Sequence, residues 1–182
     1  MAEFTDDEIL NLCRDKNTMD KGYRILVKKY SSRTYWHIRR IIIDHDDAND
    51  VTQEVFVKIW KNLGEFRADC SLFSWIYRIA TNESLNFIRR SKKNLFIPLE
   101  STENFLENQL SQSDFISGEE IILKLQKAII KLPERQRVVF NMRYYDELSY
   151  NEMSEILNIT TGSLKASYHH AVKKIEEILD KD

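Results

Sequence analysis

The stretch "DVTQEVFVKIWKNL", Asp50 to Leu63, places an apolar residue at every fourth position: Val51, Val55, Ile59 and Leu63. Phe56 and Trp60 widen the stripe. This spacing fits one face of an α-helix and does not fit a strand, whose side chains alternate with period two. Asp50 and Thr52 suit the first turn of that helix, and Gly64 is expected to stop it. Four glycines and two prolines in 182 residues are too few for a turn-rich sheet protein. The expectation is an all-α fold.

The same period returns in "LFSWIYRIATNESLNFIRR", Leu72 to Arg90, where Leu72, Trp75, Ile76 and Ile79 share a face. After Asn82 the stripe is less clean. From Asn94 to Leu123 there is no lysine or arginine, while Glu100, Glu103, Glu107, Asp114, Glu119 and Glu120 accumulate. Residues 94–118 therefore read as an acidic, extended linker, with a plain solvated spacer as the alternative. The linker divides the chain into two small helical domains, residues 1–93 and 119–182. The second opens with the apolar helix "EEIILKLQKAIIKL". Pro133 breaks it and suits the first position of the next helix, "PERQRVVFNMRYY".

The formal net charge of −2 provides no global attraction to nucleic acid, so any such binding must rest on local patches. One patch lies between Arg67 and Lys93. It carries six basic residues against Asp69 and Glu83, interleaved with Phe73, Trp75, Tyr77 and Phe87 and preceded by Phe66. Basic groups among aromatics suit single-stranded DNA, whose bases each offer a face to stack on. Most of these aromatics belong to the core. No apolar run approaches the roughly 20 residues that span a bilayer. The acidic start "MAEFTDDEIL" lacks a signal peptide's basic start and apolar core. A cytoplasmic protein without membrane insertion is expected. Cys13 and Cys70 have no CxxC spacing and read as reduced thiols. No cofactor is implied.

A second patch lies near the C-terminus. Ser149 and Glu152 have the spacing of a capping box. Tyr150, Met153, Ile156 and Leu157 follow as a short one-sided helix, and "NITTG" is a tight turn. Thr161 or Ser163 can cap the next helix, whose stripe is Leu164, Tyr168, Ala171 or Val172, Ile175 and Ile178. A short helix, a turn and a second helix with a polar face make a helix-turn-helix. The polar face carries Ser163, Lys165, Ala166, Ser167, His169, His170 and Lys173. Lysines reach phosphates, hydroxyls and imidazoles can bond base edges, and small residues let the backbone approach. The adjacent His169 and His170 point about 100° apart on a helix and do not make a metal site. A solvated amphipathic helix is the other reading. There is no nucleophile elbow, phosphate loop or metal-ligand cluster, so the expected function is not enzymatic.

On these residues the chain resembles the extracytoplasmic-function (ECF) sigma factors. "DDANDVTQEVFVKIWKNLGEFRADCSLFSWIYRIATNESLNFIRR" is similar to their region 2, and "LPERQRVVFNMRYYDELSYNEMSEILNITTGSLKASYHHAVKKI" to their region 4. The two stretches cover about half the chain, in order. The resemblance implies a protein that binds core RNA polymerase, recognises the −10 and −35 promoter elements and helps to melt the duplex. It implies that Asp50, Gln53 and Glu54 meet the polymerase clamp helices. Phe66 and Asn82 would border the pocket for a flipped −10 base, with Lys58, Asn62 and Arg78 beside them. Phe66 also reads as a simple loop anchor. Ser163, Lys165, Ala166, Ser167, His169, His170 and Lys173 would face the −35 element. There the chain departs from the common "GTVKSRLHRARKKL": Ser167 and His170 stand where arginines are usual, Ala166 where serine is, and Val172 where another basic residue is. The usual −35 sequence is therefore not expected. The linker would run near the active centre and the RNA exit path. An anti-sigma factor is an implied partner. Two other classes fit part of the pattern: a stand-alone helix-turn-helix regulator, and a sigma-like interaction protein that titrates an anti-sigma factor.

Overall fold

A computed structural model describes residues 4–94 and 120–180. Among the described residues the secondary structure is helical. The N-terminal unit comprises α1 (Asp6–Arg14), α2 (Met19–Ile42), α3 (His45–Asn62), a 3-10 turn (Leu63–Glu65) and α4 (Leu72–Asn94). The C-terminal unit comprises α5 (Glu120–Ile130), α6 (Glu134–Tyr144), α7 (Tyr150–Leu157) and α8 (Thr161–Leu179). The acidic linker expected over 94–118 falls outside the described residues but for Asn94, the last residue of α4.

The stripe on α3 is the floor of the N-terminal core. Val51, Val55, Ile59 and Leu63 are buried, joined there by Leu26 and Ile38 of α2 and by Leu72 and Ile76 of α4. Burying each of these side chains contributes about 1.5–3 kcal/mol, and Ile59→Ala would cost about 2–5 kcal/mol. α3 begins one and a half turns earlier than its stripe indicates. Asp44 caps it by accepting from the Asp47 amide at 2.9 Å, so Asp46 and Asp47, not Asp50 and Thr52, form the acidic first turn. Thr52 instead donates to the Ala48 carbonyl. Gly64 does not stop the helix in a left-handed turn. It sits inside the 3-10 turn that tightens the end of α3.

α1 and α2 are absent from the reading of the sequence, although Leu26, Tyr30, Thr34 and Ile38 repeat at helical spacing and are all buried. α1 lies very close to α2 because Gly22 faces Cys13. A Cβ at Gly22 would stand 2.7 Å from the Cys13 sulfur, so no larger residue fits without displacement. Cys13 and Cys70 are both free.

In the C-terminal unit Pro133 is the N-cap of α6, one position before the place expected for it. The last turn of α5 is closed by Arg137, whose Nη1 donates to the Ile130 carbonyl at 3.2 Å. Burial pushes the Arg137 guanidinium down to about 10. α8 is capped by Thr160, not by Thr161 or Ser163: its hydroxyl accepts from the Ser163 amide. Asn158 makes the preceding turn in the left-handed region, at φ 54°, which asparagine tolerates well. Leu164, Ala171 and Ile175 are the buried positions of α8, as the stripe predicts.

The two units pack together. Ile41, Tyr77 and Ile88 of the N-terminal unit form one buried cluster with Val138, Val139, Met142, Leu148 and Ile156 of the other. α4 is therefore covered on two sides, by its own unit and by α7. That is why its apolar pattern blurs: Ser74, Tyr77, Thr81 and Ser84 are buried off the stripe.

Candidate nucleic-acid and polymerase interfaces

The helix-turn-helix presents the more open surface. Ser149 accepts from the Glu152 amide at 3.2 Å, and the Glu152 carboxylate accepts from the Ser149 amide at 2.8 Å. The hydrogen bonds from the Ser149 hydroxyl and amide hold the Glu152 carboxyl below the usual carboxylate range. This capping box starts α7, and the Asn158 turn then delivers α8. On α8, Ser163, Lys165, Ala166, His169, His170 and Lys173 are exposed and Ser167 is half-buried. They form one face opposite Leu164, Ala171 and Ile175, which bind α8 to its own unit. Lys165 is steered by Tyr150: its Nζ lies 5.7 Å from the centre of that ring. Arg143 approaches the same ring at 5.3 Å. Reasoning from the sequence overlooked Arg143 and Tyr150, because neither lies on α8.

The second surface lies on α3 and α4. Trp75 and Asn82 are seven residues apart on α4, on one face and about 10 Å apart along the axis. Phe66 packs on Trp75, with ring centres 5.1 Å apart at 46°. The ring of Phe66 is half-buried against the core, so part of its role is to anchor the loop. Asn82 is exposed. Lys58 of α3 meets Glu83 of α4 at 2.6 Å, which places Lys58 beside the turn that carries Asn82. Asn62 donates to the Lys58 carbonyl at 2.7 Å. Arg78 stands apart from this group. Its Nη2 donates to the Glu155 carbonyl of α7, so it is occupied by the C-terminal unit.

The third surface is the outer face of α3. Asp50, Gln53 and Glu54 are exposed and line a shallow groove with Val57, Lys58 and Lys61. Val57 is 51% exposed. It is ringed by these charged and polar side chains. Arg90 of α4 approaches Glu54 at 3.8 Å, with both side chains in solvent.

Comparison with known proteins gives these surfaces their context. Residues 26–94 match the family model "Sigma-70 region 2" and residues 122–175 match "Sigma-70, region 4". The ECF RNA polymerase sigma factor SigW of Bacillus subtilis is 30% identical over 162 residues, which cover 85% of this chain and 87% of the relative. The chain belongs to the ECF sigma factors. As such it directs transcription initiation by RNA polymerase. The ECF sigma-E factor of Escherichia coli K12 is 28% identical over 185 residues, covering 97% of this chain and 95% of the relative. In fold, this sigma factor is similar to a sigma factor RpoE from Bartonella quintana, solved in complex with the anti-sigma factor NepR. The TM-score is 0.67 at 19% identity, covering 89% of this chain and 99% of that one. Among the described residues no helix is long and apolar enough to cross a membrane, and no group of three or more His, Cys, Asp or Glu side chains could hold a metal ion.

Proposed function

We propose that this sigma factor divides promoter recognition between its two helical units. Residues 1–93 bind core polymerase through Asp50, Gln53 and Glu54. They bind the single-stranded −10 element through Lys58, Asn62, Phe66, Arg78 and Asn82. Residues 119–182 read the −35 duplex through Ser163, Lys165, Ala166, Ser167, His169, His170 and Lys173. Residues 94–118 are the acidic linker between them. The protein works in the cytoplasm with polymerase, without catalysing a reaction of its own, and an anti-sigma factor controls its access to the enzyme.

The observation that carries this reading is the largely exposed face of polar and small residues on α8, opposite an apolar face that secures the helix to its unit. A face of small, hydroxyl, imidazole and ammonium groups fits a major groove. Run-off transcription with core polymerase on genomic fragments tests it. Specific transcripts that appear only when the sigma factor is added are expected. Tight, specific duplex binding without polymerase and no transcripts would identify a stand-alone regulator instead. Polymerase or regulator binding without promoter opening would identify a titrating protein.

A further inference from the structure

Glu83 is the single acidic residue of α4, a helix that also carries Arg78, Arg89, Arg90, Lys92 and Lys93. It directly follows Asn82. An acid at this place repels the phosphates of a strand drawn in by the basic residues around it. Its carboxylate reaches across to α3, where Oε1 accepts from Lys58 Nζ at 2.6 Å. The Glu83 side chain is 15% exposed and that of Lys58 is 51% exposed. The neighbouring pair between the same two helices is looser: Arg90 stays 3.8 Å from Glu54, with both side chains in solvent. An exposed pair of that kind is weak and is screened by salt. A carboxylate that is mostly covered has given up most of its water and depends on its cation. Glu83 and Lys58 therefore stay together.

We propose that Glu83 is a specificity-determining residue of the −10 surface: it withdraws Lys58 from the phosphates of the strand and holds it for the bases. This rests on the −10 reading above. Phosphates are the same in every sequence, so a cation on a phosphate adds affinity without discrimination. Left alone, an ammonium on a flexible four-carbon stem follows the nearest phosphate. With a carboxylate 2.6 Å away, the pair presents almost no net charge to a phosphate several ångströms off.

The pairing does not exhaust the hydrogen bonding of Lys58. An ammonium has three donors. Glu83 takes one, and half of the Lys58 side chain remains in solvent. The other donors suit acceptor atoms on base edges, such as O6 and N7 of guanine. Asn82, exposed at the next position, adds an amide that both donates and accepts. Arg89 and Arg90 are exposed further along α4 and supply the attraction to the strand. Part of the non-specific attraction is thus given up for discrimination between strands.

Binding of fluorescein-labelled single strands to the sigma factor assembled with core polymerase, measured across salt concentrations, tests this role. The probes are oligothymidylate and the non-template −10 strand of a promoter found by run-off transcription. Glu83→Gln keeps the shape of the side chain and removes its charge. It should bind oligothymidylate more tightly than the native protein, with a salt slope steeper by about 0.7. The gain should grow about threefold as salt falls from about 200 to about 50 mM. Preference for the −10 strand over oligothymidylate should fall by about the same factor. Lys58→Met in the native background should leave the salt slope unchanged, and in the Glu83→Gln background it should abolish the gain. Unchanged or weaker binding of oligothymidylate by folded Glu83→Gln would overturn the proposal. So would a slope shallower by about 0.7 in Lys58→Met alone, which would place Lys58 on a phosphate already; this measurement decides if Glu83→Gln does not fold. Failure of the native protein to bind core polymerase or to initiate transcription would count against the proposed function, while the slopes of the free chain on oligothymidylate would still decide the role of Glu83.

Discussion

α8 and α4 are the two helices assigned to DNA, and they are packed in different ways. α8 buries one narrow stripe against its own unit and leaves the opposite face to solvent. α4 is buried on two sides, and its polar residues divide: Asn82 is exposed, while Ser74 and Arg78 are bound to α7. A helix packed on one side can bind DNA as it stands. A helix packed on two sides must give up a protein contact to use its whole surface. The surface proposed for the −35 element is therefore open in this conformation, and that proposed for the −10 element is only partly so.

The strongest way to break this contrast is at Tyr77. It is fully buried where α4 meets both units, and its hydroxyl donates to the Arg33 carbonyl at 3.3 Å. Tyr77→Ala should cost about 3–5 kcal/mol. Denaturant unfolding followed by circular dichroism should show the loss in both units together. If α4 were packed only within its own unit, the transition of the C-terminal unit would be unaffected.

Asn82→Ala sharpens the contrast from the other side. The amide is exposed and its loss should leave the fold intact. Permanganate footprinting of unpaired thymines should show reduced open complex, by about 1–3 kcal/mol for a lost base contact, with closed-complex binding unchanged. Equal loss of both complexes would mean that Asn82 does not act in melting.

On α8 the residues should separate into two kinds. His169→Ala should alter which −35 base is preferred, by about 1–3 kcal/mol. Lys165→Ala should weaken binding to all sequences alike and reduce the salt slope by about one unit. Titrations of −35 duplex variants at several salt concentrations would distinguish them. Unchanged base preference in His169→Ala would remove that side chain from the reading surface.

The smallest effect belongs to the cap that orients the helix-turn-helix. Ser149→Ala should cost about 1 kcal/mol, measured by thermal melting. The Glu152 carboxyl is held below its ordinary value of 4.5 by its bonds to Ser149. The stabilisation from this bond is present above pH 4.5. It is lost as the pH falls through the lower value of the folded state. The difference between native and variant stability should therefore narrow in acid. A difference independent of pH would show that the carboxylate takes no part.

Much of the architecture could be read from the residues because it depends on local chemistry. The α3 stripe, the Ser149–Glu152 box and the alternation of faces on α8 are set by helical spacing and neighbouring hydrogen bonds, and each appears where the pattern indicated. The limits of these elements were less legible. Asp44 caps α3 ahead of the first turn expected at Asp50 and Thr52, and Thr160 caps α8 in place of Thr161 or Ser163, because several short polar side chains stand near each end and only the backbone path selects one. Phe66 and Asn82 could be placed near one another on the strength of the resemblance, but how far Phe66 is absorbed into the core depends on the position of Trp75.

What the sequence determined by itself was the helical character of the chain, its division into two units and the polar composition of the α8 face, all consequences of periodicity over a few turns. The pairing of Asp146 with His37 and Arg40 was decided only by tertiary structure. Asp146 lies more than a hundred residues from His37 and Arg40, and each alone reads as an ordinary surface polar residue. Packing α2, α4 and the α6–α7 turn together removes water from His37 and Asp146 and from most of Arg40. A charge in that setting must find its counter-charge, and this requirement gives Asp146 a role that no local pattern could have assigned to it.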